Sequence, residues 1–216
     1  MARESVLVRV RQALGRAASR PKQASLLASL AAPLLQVSSK DPQHLFELFG
    51  QNLESLGGKS LAVKQVSEVG PLVTSLLAGR SAVACNAAFL RECGITSLPN
   101  VQSGFTDRQA LRNACATADV GITGADYALA DTGTLVMLSS PEEARLISLL
   151  PPTHIAVFSR DRLLNSLDDL LEKVPLPAEQ TSAMVLITGP SRTADIELIL
   201  VRGVHGPGEL RAIIAG

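Results

Sequence analysis

The chain has no tryptophan, one tyrosine (Tyr127) and five phenylalanines in 216 residues. Its core must therefore be aliphatic, made of Leu, Val, Ile and Ala, and 46% apolar residues suffice for a sizeable one. An excess of charge is also missing. Twenty Lys and Arg balance twenty Asp and Glu. This excludes a general electrostatic pull toward nucleic acid or an anionic membrane. A basic cluster does lie near the start, at Arg3, Arg9, Arg11, Arg16, Arg20 and Lys22. No aromatics are interleaved there for base stacking, so it reads as a solvated helix face. Cysteine is sparse. Cys85, Cys93 and Cys115 stand far apart with no C-x-x-C, which excludes a disulfide framework and leaves no ligand set for a zinc knuckle or an iron–sulfur cluster. Inert, largely buried thiols in a reducing cytosol are expected. No apolar run is long enough to span a bilayer, and the Arg-rich amphipathic start is unlike a secretory signal, so a cytoplasmic protein is expected. Neither G-x-G-x-x-G, a Walker lysine motif, G-x-S-x-G nor H-E-x-x-H occurs.

Periodicity divides the chain in two. Residues 3–30 read as helix from Val6, Val10 and Leu14, interrupted by Pro21. Asp41-Pro42 opens a second helix with an apolar stripe of Leu45, Phe46, Leu48, Phe49 and Leu53, and Gly57-Gly58 ends it. Residues 1–56 are therefore expected to form a helical arm packed on a body of 57–216. In the body, short apolar runs alternate with helical segments: strand 61–63, helix 67–78, strand 82–85, helix 86–92. Such alternation predicts βα units and a largely parallel sheet. A capping box at Thr106-x-x-Gln109 starts a helix to about residue 116, and Ser140-Pro141-Glu142-Glu143 is the clearest helix start. Further strands are expected at 120–123, 134–138, 154–158 and 184–188, with a helix over 160–173.

Three polar, glycine-bearing loops follow predicted strands, where α/β proteins gather ligands. In Gly121–Thr134, glycine-permitted amides at Thr132, Gly133 and Thr134 lie beside Asp126 and Asp131 and suit an anion. In Thr188–Glu197, the hydroxyls of Ser191 and Thr193 flank Arg192, a two-point grip for carboxylate or phosphate, with Asp195 and Glu197 as counter-charges. In the third, His205 sits between Gly203 and Gly206, free to approach a ligand closely. Asp131 and His205 are the candidate catalytic groups, and no metal site is expected. Each loop also has a structural explanation: a turn at Asp131-Thr132-Gly133, a helix N-cap at Ser191, and a hydrogen-bonded structural imidazole at His205. Ile196 to Val201 reads as a strand, with a return at Gly203 needed to bring His205 near Arg192.

Asp-Thr-Gly-Thr, Leu-Leu-Pro-Pro-x-His, Gly-Pro-Ser-Arg-Thr-Ala-Asp-Ile-Glu and Gly-Val-His-Gly-Pro occur here in that order. Over about residues 60–215 the chain closely resembles the lactate-utilization protein C family, the LutC/YkgG-like LUD-domain proteins. The resemblance implies a three-layer α/β/α body similar to the ribose-5-phosphate isomerase, glucosamine-phosphate deaminase and CoA-transferase group. It also implies a place in an apparatus that oxidises L-lactate to pyruvate alongside iron–sulfur partner proteins. The family usually has Glu where this chain has Asp131, one methylene shorter. Since the cysteine clusters belong to the partners, iron–sulfur cofactors are expected there and none in this chain. Two other functions compete: an independent enzyme on a phosphorylated sugar, a CoA ester or a folate, argued from fold analogy alone, and a regulatory ligand-binding module.

Overall fold

The computed structural model describes residues 8–9, 12, 41–140, 144–193 and 201–216. Contacts separate two compact units, Met1–Ser38 and Ser39–Gly216. Val8, Arg9 and Gln12 are helical and are the only described residues of the first. The packing expected of residues 1–40, the helix start at 141–143, Asp195, Glu197 and the strand residues 196–200 fall outside the described residues.

The second unit begins with α1 (Pro42–Ser55). The Asp41 carboxylate accepts the Gln43 amide at 3.0 Å, and Pro42 occupies a first-turn position that needs no donor. Phe49 and Leu53, from the expected stripe, are fully buried. Phe49 meets Phe158 edge-on, with ring centroids 5.7 Å apart. The chain then alternates as β1 (Lys59–Val63), α2 (Val69–Leu77), β2 (Ala82–Ala84), α3 (Ala88–Glu92), β3 (Val101–Gln102), α4 (Arg108–Thr117) and β4 (Val120–Gly124). With β7 (Thr153–Ser159) and β12 (Glu209–Ala215), the strands β1 to β4 form an all-parallel six-stranded sheet in the order β1-β12-β7-β4-β2-β3. The largely parallel sheet is therefore present as expected.

Alternation assigns the faces of this sheet. Ile155, Val157, Ile213 and Ala215 pack with α2 and its neighbours on one side, while Ala156, Phe158, Ala212 and Ile214 face α1 and a second sheet on the other. That second sheet has four strands in the order β8-β5-β6-β9: β5 (Tyr127–Leu129), β6 (Thr134–Leu138), β8 (Leu163–Leu164) and β9 (Met184–Ile187). Leu129 and Val136 on its outer face pack against Leu170 and Val174, from α5 (Leu167–Lys173) and its cap. A short helix α6 (Pro177–Gln180) precedes β9, and β10 (Arg192–Thr193) pairs antiparallel with β11 (Val201–Arg202). Among the described residues no helix is long and apolar enough to cross a membrane.

Several local expectations are corrected. The cap of α4 is Asp107, whose carboxylate takes the Ala110 amide at 2.6 Å, one residue beyond the expected Thr106. The expected helix over 160–173 begins only at Leu167. Ser166 caps it in a reciprocal box with Asp169, and before it the chain makes a 3-10 turn and the two-residue strand β8. After the undescribed 141–143, a 3-10 turn runs from Arg145 to Ser148. The strands β5 and β12 were not anticipated from the sequence. The three cysteines are buried as expected. Burial, then Glu92, pushes the Cys93 thiol up to about 11, and burial raises Cys115.

Candidate functional site

A cleft of about 250 Å³ opens where the two sheets meet. One wall is the end of β9 and its outgoing loop, Val185 to Ser191. The floor and far wall are Ser148, His154, Leu210 and the segment His205–Pro207. His154 and Leu210 are the second residues of β7 and β12. The cleft thus lies at the starting end of the parallel strands, opposite to the carboxyl end from which the sequence argument proceeded. The reason is the second sheet. β9 runs antiparallel to β6 and delivers its outgoing loop to that end.

Ser191 and His205 meet here. Thr193 pairs with Val201 and Arg192 with Arg202, so the chain reverses between them and both polar loops lie at one end. Gly203, at φ +78°, makes the return. The Ser191 amide donates to the Pro207 carbonyl at 2.8 Å, and the Gly203 amide to the Ser191 carbonyl at 3.0 Å. A Cβ on Gly206 would stand 3.3 Å from that of Ser191, so glycine sets how closely the loops approach. The Ser191 hydroxyl makes no hydrogen bond among the described residues, and His205 is exposed at the rim.

The Asp131–Thr134 loop reaches the cleft indirectly. Thr188 lines it, and its hydroxyl lies 2.8 Å from that of Thr134. Thr134 donates to the Thr132 oxygen at 2.8 Å, and Thr132 to the Asp131 carboxylate at 3.1 Å. Thr134 has one proton, already given to Thr132, so Thr188 donates to Thr134. The run ends on the exposed Asp131, and the lone pairs of the Thr188 oxygen are left toward the cleft. Gly133 is buried against α1. At φ +63° its Cβ would fall 2.4 Å from the Leu53 nitrogen, so the close approach of a helix accounts for glycine there. The Asn52 amide fixes the same loop through the Ala130 and Asp131 carbonyls at 2.8 and 2.9 Å.

Other predicted site residues go elsewhere. Asp126 accepts the Leu138 amide at 2.6 Å and ties β6 to the end of β4. Its pKa is raised, chiefly by burial and partly offset by that amide and by Arg162. Arg192 is exposed and turns to the end of α1. One of its terminal nitrogens would lie 2.9 Å from a Cβ on Gly57, and those of Arg202 3.3 and 3.4 Å from it. The carbonyl end of a helix is a favourable place for two guanidinium groups. Thr193 pairs in β10 and is not part of the cleft lining.

Sequence reasoning missed His154. It is 1% exposed, and its Nε2 lies 2.8 Å from the Thr123 hydroxyl, itself fully buried. Its Nδ1 is buried with no partner among the described residues. Burial pulls its pKa from 6.5 to about 4, so the imidazole is neutral at physiological pH. Strand alternation puts His154 and Thr123 on the face toward the second sheet, beside Gly121, the register partner of His154. A lone titratable residue in an otherwise apolar strand was the available signal, and it sits in the quoted Leu-Leu-Pro-Pro-x-His stretch.

Comparison with known proteins agrees with this architecture. The LUD domain family matches residues 46–215. A lactate utilization protein C of Halalkalibacterium halodurans is 32% identical over 157 residues, 69% of this chain and 68% of that protein. An uncharacterized protein of Neisseria meningitidis is 44% identical over 93 residues, 43% of this chain and 40% of its own length. A Bacillus subtilis lactate utilization protein C is 42% identical over 94 residues, 42% of this chain and 39% of its own length. The chain thus spans under half the length of the latter two. The crystal structure of a DUF162 family protein from Deinococcus radiodurans superposes with a TM-score of 0.61 at 18% identity, covering 81% of this chain and 98% of that one, and shares the fold. By the extent of the family match and of the Halalkalibacterium alignment, the chain belongs to the LUD-domain family.

Proposed function

We propose that this protein serves lactate utilization as a component of an apparatus that oxidises L-lactate to pyruvate with iron–sulfur partner proteins, and that its cleft holds a small carboxylate. The observation that carries the ligand reading is the lining of the cleft. It combines the Ser191 and Thr188 hydroxyls with two imidazoles and, among the described residues, no Asp or Glu. The Ser191 hydroxyl and the His205 imidazole offer donors to an anion there, and no described acid repels it. The lactate assignment is supported by the names of the Halalkalibacterium and Bacillus relatives. Electron transfer is assigned to partners because the three cysteines of this chain are dispersed and buried.

The test is deletion of the gene and growth on L-lactate as sole carbon source. Loss of growth on lactate but not on pyruvate, restored by the intact gene, is the expected result. Normal growth on both overturns the assignment. Complementation by Ser191→Ala examines the cleft, and is expected to be poor at normal protein levels.

A further inference from the structure

We infer that the cleft is specific for a short 2-hydroxy acid, with His154 Nδ1 accepting the hydroxyl proton of the ligand while Ser191 and His205 hold its carboxylate. This rests on the reading of the cleft as a carboxylate site and names what that reading leaves open. Buried ring nitrogens are almost always bonded, because desolvating one without compensation is costly. His154 is 1% exposed, it lines the cleft, and Nε2 is committed to Thr123. Nδ1 is thus the ring nitrogen left for the cleft, and it has no partner among the described residues.

The tautomer follows from counting protons. Thr123 also lies 4.0 Å from the Met137 sulfur, a weak acceptor for its hydroxyl. With Nε2–H donating to the Thr123 oxygen and the Thr123 hydroxyl directed to sulfur, both donors are used and the orphan is a lone pair on Nδ1. The other tautomer would strand a buried N–H, the rarer and costlier case. An acceptor at the floor recognises a donor, which a hydroxyl supplies and a keto group or an ionised carboxylate does not. At the rim, the Ser191 hydroxyl is uncommitted among the described residues and His205 is exposed beside it. Both donate to a carboxylate. A cleft of about 250 Å³ equals about eight waters at their liquid volume and admits a short hydroxy acid. Val185 and Leu210, on facing sides of the cleft, suit a short alkyl group.

The experiment uses the full chain carrying ¹⁵N-labelled histidine, followed by NMR of the imidazole nitrogens during titration with L-lactate and, separately, propionate and pyruvate. L-lactate is expected to move the His154 Nδ1 signal, and the two acids without a hydroxyl to move it several-fold less at equal concentration. An Nδ1 signal unmoved by L-lactate overturns the inference, as does an equal response to propionate. Two variants separate binding from architecture. His154→Gln keeps a polar atom where Nε2 meets Thr123 and removes the one at Nδ1. His154→Asn does the reverse. With melting temperatures measured for both, Gln is expected to weaken L-lactate binding at least tenfold and Asn by a few-fold. The opposite order would make His154 a purely structural partner of Thr123 and sink the proposal. Growth loss on deletion with no response of Nδ1 overturns this inference and leaves the lactate assignment standing. A clear Nδ1 response with normal growth does the converse.

Discussion

The two sheets bury comparable side chains by different means. In the six-stranded sheet the central strands β4 and β7 are enclosed on both faces by helices, by α1 and by the second sheet, and almost every residue in them is buried. Each reads as a nearly continuous apolar run, as parallel strands do. The four-stranded sheet is held by two antiparallel pairs and one parallel pair, has a two-residue strand at one edge, and leaves Leu186 of β9 46% exposed. Closed packing positions an imidazole at the start of β7. The open edge of the smaller sheet supplies the wall and loop that face it. The site needs both, since a fully enclosed residue reaches a ligand only where a neighbouring layer stops.

The strongest test of this contrast is Gly121→Ala in β4. Its Cβ would stand 1.9 Å from the Ile147 carbonyl oxygen, a backbone atom with no flexible end to yield. A loss of roughly 4 kcal/mol or more is expected in urea unfolding, with failure to fold as the extreme result. A loss below about 1 kcal/mol would show that the enclosed sheet gives way easily. Gly133→Ala examines the seam between α1 and β6. It combines φ +63° with a contact at 2.4 Å on the Leu53 nitrogen, and about 3 kcal/mol is expected from strain plus overpacking.

Acid provides a third test. The His154 pKa falls from 6.5 to about 4 on burial, so the unfolded chain binds the extra proton between those values. Stability contributed by the neutral imidazole is complete above the unfolded value and declines as pH falls from about 6.5 toward 4, by roughly 3 kcal/mol over the window. Melting scans of the parent and of His154→Gln should converge as pH is lowered through that range. Parallel curves would mean that His154 does not control acid sensitivity. The smallest effect is expected at the open edge, where Leu186→Thr should change stability by about 0.5 kcal/mol or less. A drop of several kcal/mol would show that β9 is covered by something in solution.

Much of this protein was legible before any fold was known, where local chemistry and periodicity agree. Asp41-Pro42 opens α1, Phe49 and Leu53 point inward, and the βα alternation gives a parallel sheet, because caps and stripes act within a few residues. The short strands β5 and β8 were not legible, since two or three residues carry no period, and β8 is held by a strand distant in sequence. The Ser191 and His205 loops drew notice as polar glycine-bearing turns. That they touch, while Arg192 leaves for the end of α1, follows only from the reversal between β10 and β11. The composition alone determined an aliphatic core and dispersed thiols. Tertiary structure decided that β12 enters between β1 and β7, that Asp131 reaches the cleft through three hydroxyls, and that His154 keeps one nitrogen buried and unpartnered at its floor. Pairing and burial join residues far apart in the chain, and no local rule specifies which of them will meet.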